Sequence, residues 1–153
     1  MIKLFTSYYA NYKNIPKSYL CIGISRYCPE WFETNPPDNF FFTKSNFLAP
    51  SEELLNDIKS NSITQEEYKK RYVTELYTNL AKIGYNDLGK WARDLIVIWT
   101  QENVYDGIVF MCYERPEEFC HRHIFRNILN KICNIECKEY GVKETIEPNK
   151  ALF

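Results

Sequence analysis

The stretch GIVFMCYERPEEFCHRHIFRNIL, from Gly107 to Leu129, contains a strand signal, a loop and a helix signal in succession. Its first residues form a continuous apolar run, which is typical of a strand that is buried on both faces of a parallel sheet. From about Phe119 to Cys133, apolar residues recur at helical spacing. Because parallel strands need a crossover connection, usually a helix, this order predicts an α/β fold.

Short apolar runs on either side of this stretch predict further strands. They are IKLFTS near the N-terminus, YLCIGIS from Tyr19 to Ser25, and IECKEYG from Ile135 to Gly141. Helical segments separate them. The sequence therefore predicts one compact α/β domain over residues 1–153, with a mainly parallel sheet flanked by helices in Rossmann-like layers.

Capping signals mark the predicted helices. Ser51 can cap a helix that runs to about Lys59. Thr64 and Glu67 form a Thr-x-x-Glu capping box for the next helix, and Gly84 ends it. A further helix is predicted from about residue 86, so helices lie between the predicted strands along most of the chain.

A long polar and aromatic loop is predicted from Arg26 to Pro50. Its four prolines exclude a regular helix there, and loops of this length are more often functional than structural. We expect its aromatic side chains to cover a ligand site beside the strand ends. They are Tyr27, Trp31, Phe32 and Phe40 to Phe42.

The composition excludes several classes of protein. Apolar residues make up 45% of the 153 residues, which is unlike a disordered chain. No apolar run approaches the roughly 18 residues that span a bilayer, and no signal-peptide pattern is present. We therefore expect a cytoplasmic protein without a membrane partner. In that compartment thiols stay reduced, so we interpret Cys21, Cys133 and Cys137 as small buried or half-buried apolar residues.

The charge distribution bears on the ligand. The net charge of −1 argues against a nucleic-acid binder that relies on bulk electrostatics, so that partner is only weakly indicated. The first 29 residues nevertheless carry four basic side chains, no acidic one, and several tyrosines. Basic groups beside aromatic faces suit a small anionic or nucleotide-like ligand with a stackable base. The alternative interpretation of the same pattern is a basic surface that contacts only solvent, with the tyrosines partly buried in the core.

The helical phase separates the two histidines. At about 100° per residue, one apolar stripe runs along the helix, and His121 lies near its middle. His123 points the opposite way, so we expect His121 to be buried and His123 to be exposed. Cys120 and Arg122 fall near the two edges. The stripe consists of Ile124, Phe125, Ile128, Leu129 and Ile132.

The same helix start suggests reactive chemistry. Cys120 lies at a helix N-terminus, where the partial positive charge favours a thiolate. Arg122 can reach an anion at this helix end. His121 can act as an acid or a base, and Glu114 can orient it or hold an arginine.

A metal site is the alternative. His121 and His123 diverge by about 200° on a helix, so they do not ligate one ion together. The ligands that remain are Cys112, Cys120 and His121, with Cys28 as the candidate fourth. We therefore expect no cofactor and less than one tightly bound zinc ion per chain, while a metal site formed by these three residues stays open.

Several motifs resemble one known family. CYERPEEFCHRHIFRNIL, FTSYYANYKNIP, GISRYCPEWF and LAPSEELLNDIKSNSITQEEYKKRY are similar, in order, to segments of the domain-of-unknown-function family 488, in which Cys-x-Glu precedes Cys-His-Arg. The resemblance is weakest from about residue 135. It implies a compact α/β domain in a bacterial or phage-like context, and it supplies no reaction. The matching positions are Thr6, Ser7, Arg26, Cys112, Glu114, Cys120, His121 and Arg122.

These residues predict one site at the carboxyl ends of the strands. The first hypothesis is an enzyme that acts on a nucleotide, a nucleobase or another phosphate-bearing substrate. The second is a module that binds such a ligand, or a partner protein, without turnover. The expected catalytic residues are Cys120, His121, Glu114 and Cys112, and the expected binding residues are Arg26, Arg122, Thr6, Ser7, Tyr27 and Trp31.

Overall fold

The computed structural model describes residues 3–34, 41–102 and 105–142, and Phe40 and the C-terminal segment 143–153 lie outside them. Five strands form one sheet in the order β3-β2-β4-β1-β5, and every neighbouring pair is parallel. The predicted α/β class with a parallel sheet is therefore confirmed. The strands are β1 (Lys3–Tyr8), β2 (Tyr19–Gly23), β3 (Phe41–Lys44), β4 (Gly107–Cys112) and β5 (Cys137–Glu139).

The predicted caps begin and end the helices. Ser51 Oγ accepts a hydrogen bond from the Leu54 N–H, and Thr64 Oγ1 accepts one from the Glu67 N–H. Gly84 follows the second of these helices with φ of +87°, a conformation that favours glycine. The helices are α1 (Glu30–Thr34), α2 (Glu52–Lys59), α3 (Gln65–Lys82), α4 (Leu88–Glu102) and α5 (His121–Lys131), and a 3₁₀ segment covers Tyr9–Asn14.

The proline-containing loop differs from the expectation. It includes the short helix α1 and the edge strand β3, which pairs with β2. Proline at the start of a helix is tolerated, because its missing N–H would have no helical partner there. The backbone carbonyl of Pro29 accepts the first bonds of α1, from the N–H groups of Phe32 and Glu33. Pro29 therefore precedes a short helix in this loop instead of excluding one.

The two faces of the sheet carry separate apolar clusters. Helices α2 to α5 pack on one face, where Leu76, Leu80, Phe110 and Phe125 are among the buried residues. The 3₁₀ segment and α1 cover the other face. Cys21 and Cys137 are buried and Cys133 is half-buried, as the sequence predicted. No described helix combines the length and the apolar character that crossing a membrane requires.

The strand order brings the predicted site segments together. β1 and β2 lie on either side of β4, with Tyr8 opposite Cys112 and Gly23 opposite Met111. The backbone continues this pairing past β2, since the Ile24 N–H donates to the carbonyl of Met111 at 2.9 Å. The residues after β2 therefore lie beside the end of β4, at the carboxyl edge where α/β proteins bind ligands.

We expect Thr64→Ala to lower the free energy of unfolding by about 1 kcal/mol, because the cap of α3 is lost. Urea denaturation followed by circular dichroism measures the change. Thr74→Ala is the matched control, since Thr74 is an exposed residue within α3 whose hydroxyl bonds to the Lys70 carbonyl. An equal loss in both variants would show that the cap contributes nothing specific.

Candidate functional site

A cavity of about 460 Å³ opens at the carboxyl ends of β2 and β4. The first turn of α5 and the end of β4 with the loop that follows it form the wall that carries the thiol, imidazole and carboxyl groups, and α2 and Tyr68 of α3 contribute to the rest. The lining residues are Ser25, Arg26, Tyr27, Pro50, Leu55, Ile58, Lys59, Tyr68, Cys112, Tyr113, Glu114, Phe119, Cys120 and His121.

Two thiols and one imidazole converge in this wall. Cys112 Sγ lies 3.8 Å from both ring nitrogens of His121, and Cys120 Sγ lies 4.0 Å from His121 Nδ1. The sulfur and nitrogen atoms that can bind a metal all lie within 4.8 Å of one another, and all three residues are buried. The structure thus brings together Cys112, Cys120 and His121, as the sequence analysis expected.

The orientation of His121 is set by the backbone. Its Nε2 lies 2.7 Å from the carbonyl oxygen of Ile24, so Nε2 carries the proton and donates it. In the neutral ring Nδ1 then holds the lone pair. The ring of Tyr72 packs against the imidazole at 5.3 Å between centroids. His121 is only 4% exposed, which confirms its predicted burial.

Proton affinities in this cluster are strongly shifted. Burial alone would raise the pKa of Cys120, but the hydrogen bond with Cys112 and the charges of His121 and Arg122 outweigh it and lower the pKa well below the usual value. Burial raises the pKa of Cys112, and it also raises the pKa of Glu114. Cys112 Sγ donates to Glu114 Oε2 at 3.2 Å. Cys120 is therefore the thiol that most readily becomes a thiolate.

Arg122 is placed differently from the expectation of an anion ligand. It is fully buried against the sheet, outside the lining of the cavity. Its guanidinium donates to both carboxylate oxygens of Glu139, at 3.2 and 2.9 Å, and Nη1 lies 3.5 Å from Cys120 Sγ. The turn of α5 that directs His121 to the cavity directs Arg122 towards β1 and β5. Arg122 thus contacts the site through Cys120.

Glu139, which holds Arg122 behind the site, is the residue that sequence reasoning missed. It also accepts hydrogen bonds from Thr6 Oγ1 at 2.6 Å and from Arg126 at 3.3 Å. The available signal was the alternation in IECKEYG, which puts Cys137 and Glu139 on the same buried side of β5. A buried carboxylate in that position is stabilised by a buried cation beside it, and Arg122 of α5 supplies that cation.

The remaining predicted binding residues divide between the cavity and its surroundings. Arg26 lines the cavity, and its Nε donates to the Pro50 carbonyl at 2.9 Å. Tyr27 lines it too, and its hydroxyl donates to Glu52 at 3.1 Å.

Three expected ligand-contacting residues do not line the cavity. Thr6 bonds to Glu139, and Ser7 Oγ accepts from Asn11 at 3.0 Å. Trp31 packs on Tyr12 and Phe32 instead of covering the cavity. Phe32 and Phe42 likewise belong to the aromatic cluster around Tyr9, on the other face of the sheet. Trp31, Phe32 and Phe42 therefore do not form the expected cover over the cavity.

Three further expectations are corrected. His123 is half-buried instead of exposed. Arg126 Nη1 donates to its Nδ1 at 2.9 Å, and burial lowers its pKa to about 4. Ile132 is exposed because α5 ends at Lys131. Cys28 packs with Tyr9 on the opposite face of the sheet, away from the thiol and imidazole cluster.

A family model described as the active DUF488-N3 subclade (DUF488-N3a) matches residues 5–132. No curated protein and no solved structure matches the chain. The matched range includes the three residues of the thiol and imidazole cluster, and it ends before Glu139.

Proposed function

The chain belongs to the DUF488 family, through the model of its active N3 subclade, and from the residues that line its cavity we propose that it is an enzyme that acts on a nucleotide, a nucleobase or another phosphate-bearing small molecule. The proposed site is the cavity at the ends of β2 and β4. Its volume lies within the range of about 300–1,000 Å³ that is usual for small-molecule sites.

One observation carries the enzymatic part of the proposal. Cys112, Glu114, Cys120 and His121 converge on one wall of the cavity. Simple capture of an anion needs cationic groups and N–H donors, and it does not need two thiols and a carboxyl group. Thiols, imidazole and carboxyl groups within hydrogen-bond distance are the usual components of acid–base and nucleophilic catalysis, or of a metal site.

The thiolate of Cys120 is the central group of this wall. Cys120 is the N-cap residue of α5, its side chain makes no capping hydrogen bond to the helix backbone, and it lines the cavity. The helix N-terminus and the contact from Arg122 Nη1 both favour a negative sulfur. A thiolate is the form that attacks an electrophile or holds a metal ion.

The other walls suit a ligand with an anionic end and a ring. Arg26 and Lys59 supply positive charge at the rim. Among the described residues, the hydrogen bond found for the Arg26 guanidinium runs from Nε to the Pro50 carbonyl, and it does not use the terminal N–H groups. Aromatic side chains supply stacking surfaces. They are Tyr27, Tyr68, Tyr113 and Phe119.

Metabolites that co-purify with the protein test the proposal. We expect mass spectrometry to find phosphate-bearing or nucleobase-containing compounds with the wild-type protein. The Cys120→Ala variant should retain a compound that the wild-type protein converts when the two are mixed. If the wild-type protein leaves that compound unchanged, the cavity binds without turnover and the enzymatic part of the proposal is wrong.

We expect Arg26→Gln to weaken the binding of such a phosphate-bearing compound by about tenfold or more, because a charged hydrogen bond contributes about 1.5–3 kcal/mol. Titration calorimetry measures the affinity. Lys17→Gln removes a positive charge from the same basic N-terminal region but outside the cavity lining, and it should leave the affinity unchanged. Equal weakening by both variants would mean that general electrostatics, and not the rim, attracts the ligand.

A further inference from the structure

We infer that Cys112, Cys120 and His121 bind one zinc ion, or a divalent ion of similar softness, with one coordination position open to the cavity. The inference rests on the proposed function, since it assigns a metal to the same wall of the same cavity. It also reverses the expectation of little bound zinc, which treated the three ligands as an incomplete structural site.

The distances between the ligand atoms fit one ion. With Zn–S bonds of about 2.3 Å and Zn–N bonds of about 2.0–2.1 Å, a sulfur and a nitrogen of a tetrahedral site lie roughly 3.5 Å apart. The two thiol sulfurs lie 3.8 and 4.0 Å from His121 Nδ1. All three ligand atoms lie within 4.8 Å of one another, so side-chain shifts of about 1 Å or less bring them to the distances of a tetrahedral site.

The imidazole is already oriented as a metal ligand requires. His121 Nε2 donates its proton to the carbonyl of Ile24 at 2.7 Å, so the neutral ring has its lone pair on Nδ1, which lies 3.8 and 4.0 Å from the two thiol sulfurs. Histidines that bind metals commonly donate their second N–H to a carbonyl or carboxylate, which fixes the ring and its tautomer. A purely structural role of His121 in the core would not explain why two thiol sulfurs lie beside its second ring nitrogen.

The surroundings of Cys120 offset the charge of a bound thiolate. Arg122 Nη1 lies 3.5 Å from Cys120 Sγ, and Glu139 holds this guanidinium through two further bonds. Two thiolates and a neutral imidazole balance the charge of a divalent ion. On metal binding, each thiol that is still protonated and, where the ring is charged, His121 Nδ1 release their protons to solvent, and bonds to the metal replace the S–H and N–H bonds.

An open coordination position follows from the location of the ligands. All three line the cavity, and Glu114 lines it beside them with its Oε2 3.2 Å from Cys112 Sγ. Three protein ligands and one free position are characteristic of catalytic zinc, whereas structural zinc is enclosed by four. The free position suits water or a phosphate oxygen of the substrate, and Glu114 is placed to exchange a proton with it.

Elemental analysis of the full chain, purified without chelators, is the first test. We expect stoichiometric zinc in the wild-type protein. The variants Cys112→Ser, Cys120→Ser and His121→Asn should each lower the affinity for zinc by at least about 100-fold, since even the loss of an outer hydrogen bond costs about 10–100-fold. Cys133→Ser is the matched control, because Cys133 is a half-buried thiol outside the cluster, and it should retain the metal.

A second test needs no variant. Metal-free wild-type protein is titrated with Co²⁺, and we expect thiolate-to-cobalt charge-transfer absorption that saturates at one ion per chain with the strong visible bands of tetrahedral cobalt. A protein that purifies without metal and gives no such absorption overturns the inference. If that protein still converts its substrate, the proposed function is retained and only the metal site is wrong. If zinc binds but no phosphate-bearing compound does, the metal site stands and the proposed function fails.

Discussion

Glu139→Ala should cause the largest loss of stability among the substitutions considered, about 3–5 kcal/mol. The substitution removes the carboxylate that accepts both bonds from Arg122, whose guanidinium has no access to water. A buried charge that loses its partner retains the full cost of desolvation. Chemical denaturation monitored by circular dichroism gives the change in the free energy of unfolding.

Glu136→Ala is the control for this prediction. Glu136 pairs with Lys138 at 2.8 Å on the surface beside β5, where an ion pair contributes little. A small effect of Glu139→Ala, similar to that of Glu136→Ala, would show that Arg122 finds another partner.

The double variant Arg122→Met and Glu139→Leu separates the structural role of the pair from its role at Cys120. Replacing both buried charges by apolar side chains of similar volume is often neutral or stabilising, so much of the lost stability should return. The contact between Arg122 Nη1 and Cys120 Sγ does not return. We therefore expect a folded protein in which the Cys120 thiol reacts more slowly with iodoacetamide than in the wild type.

Cys120→Ala should cause the largest loss of activity, at least about 100-fold in kcat/KM for the substrate found by co-purification. Positioned nucleophilic or acid–base groups typically contribute 10²–10⁴-fold. The loss is expected whether the sulfur attacks the substrate or holds a metal ion, because both roles need the thiolate. Cys133→Ala, at a half-buried position just after α5, should keep the wild-type rate.

Stability has to be measured on the same samples. Cys120 is buried at the start of α5 and makes no capping bond there, so its truncation costs only a small side chain and should leave the protein folded. A folded Cys120→Ala variant with the wild-type rate would remove this residue from the mechanism.

Local signals in the sequence determined the class of the fold and the position of the site. The apolar run of β4 and the stripe along α5 predicted a strand followed by a helix, because burial on a sheet and burial of one helix face impose different periods. Capping residues predicted where α2 and α3 begin, since the first N–H groups of a helix need nearby acceptors. These signals also placed Cys112, Cys120 and His121 at one strand end.

The edge strand β3 and the short helix α1 were not predictable in this way. Four or five residues carry too little periodic pattern, and the prolines around them resemble those of a loop. β3 exists because the exposed edge of β2 offers it hydrogen bonds, and these depend on the order of strands in the sheet.

The tertiary structure alone decided which groups meet. Glu139 and Arg122 lie in different elements, and they pair because β5 adds beside β1 and α5 crosses that edge of the sheet. The same packing half-buries His123 and directs Arg122 away from the cavity. Sequence periodicity gives the direction of a side chain from its own helix, whereas its partner depends on non-local packing. The sequence thus determined which residues could react, and the assembled sheet decided which of them are in contact.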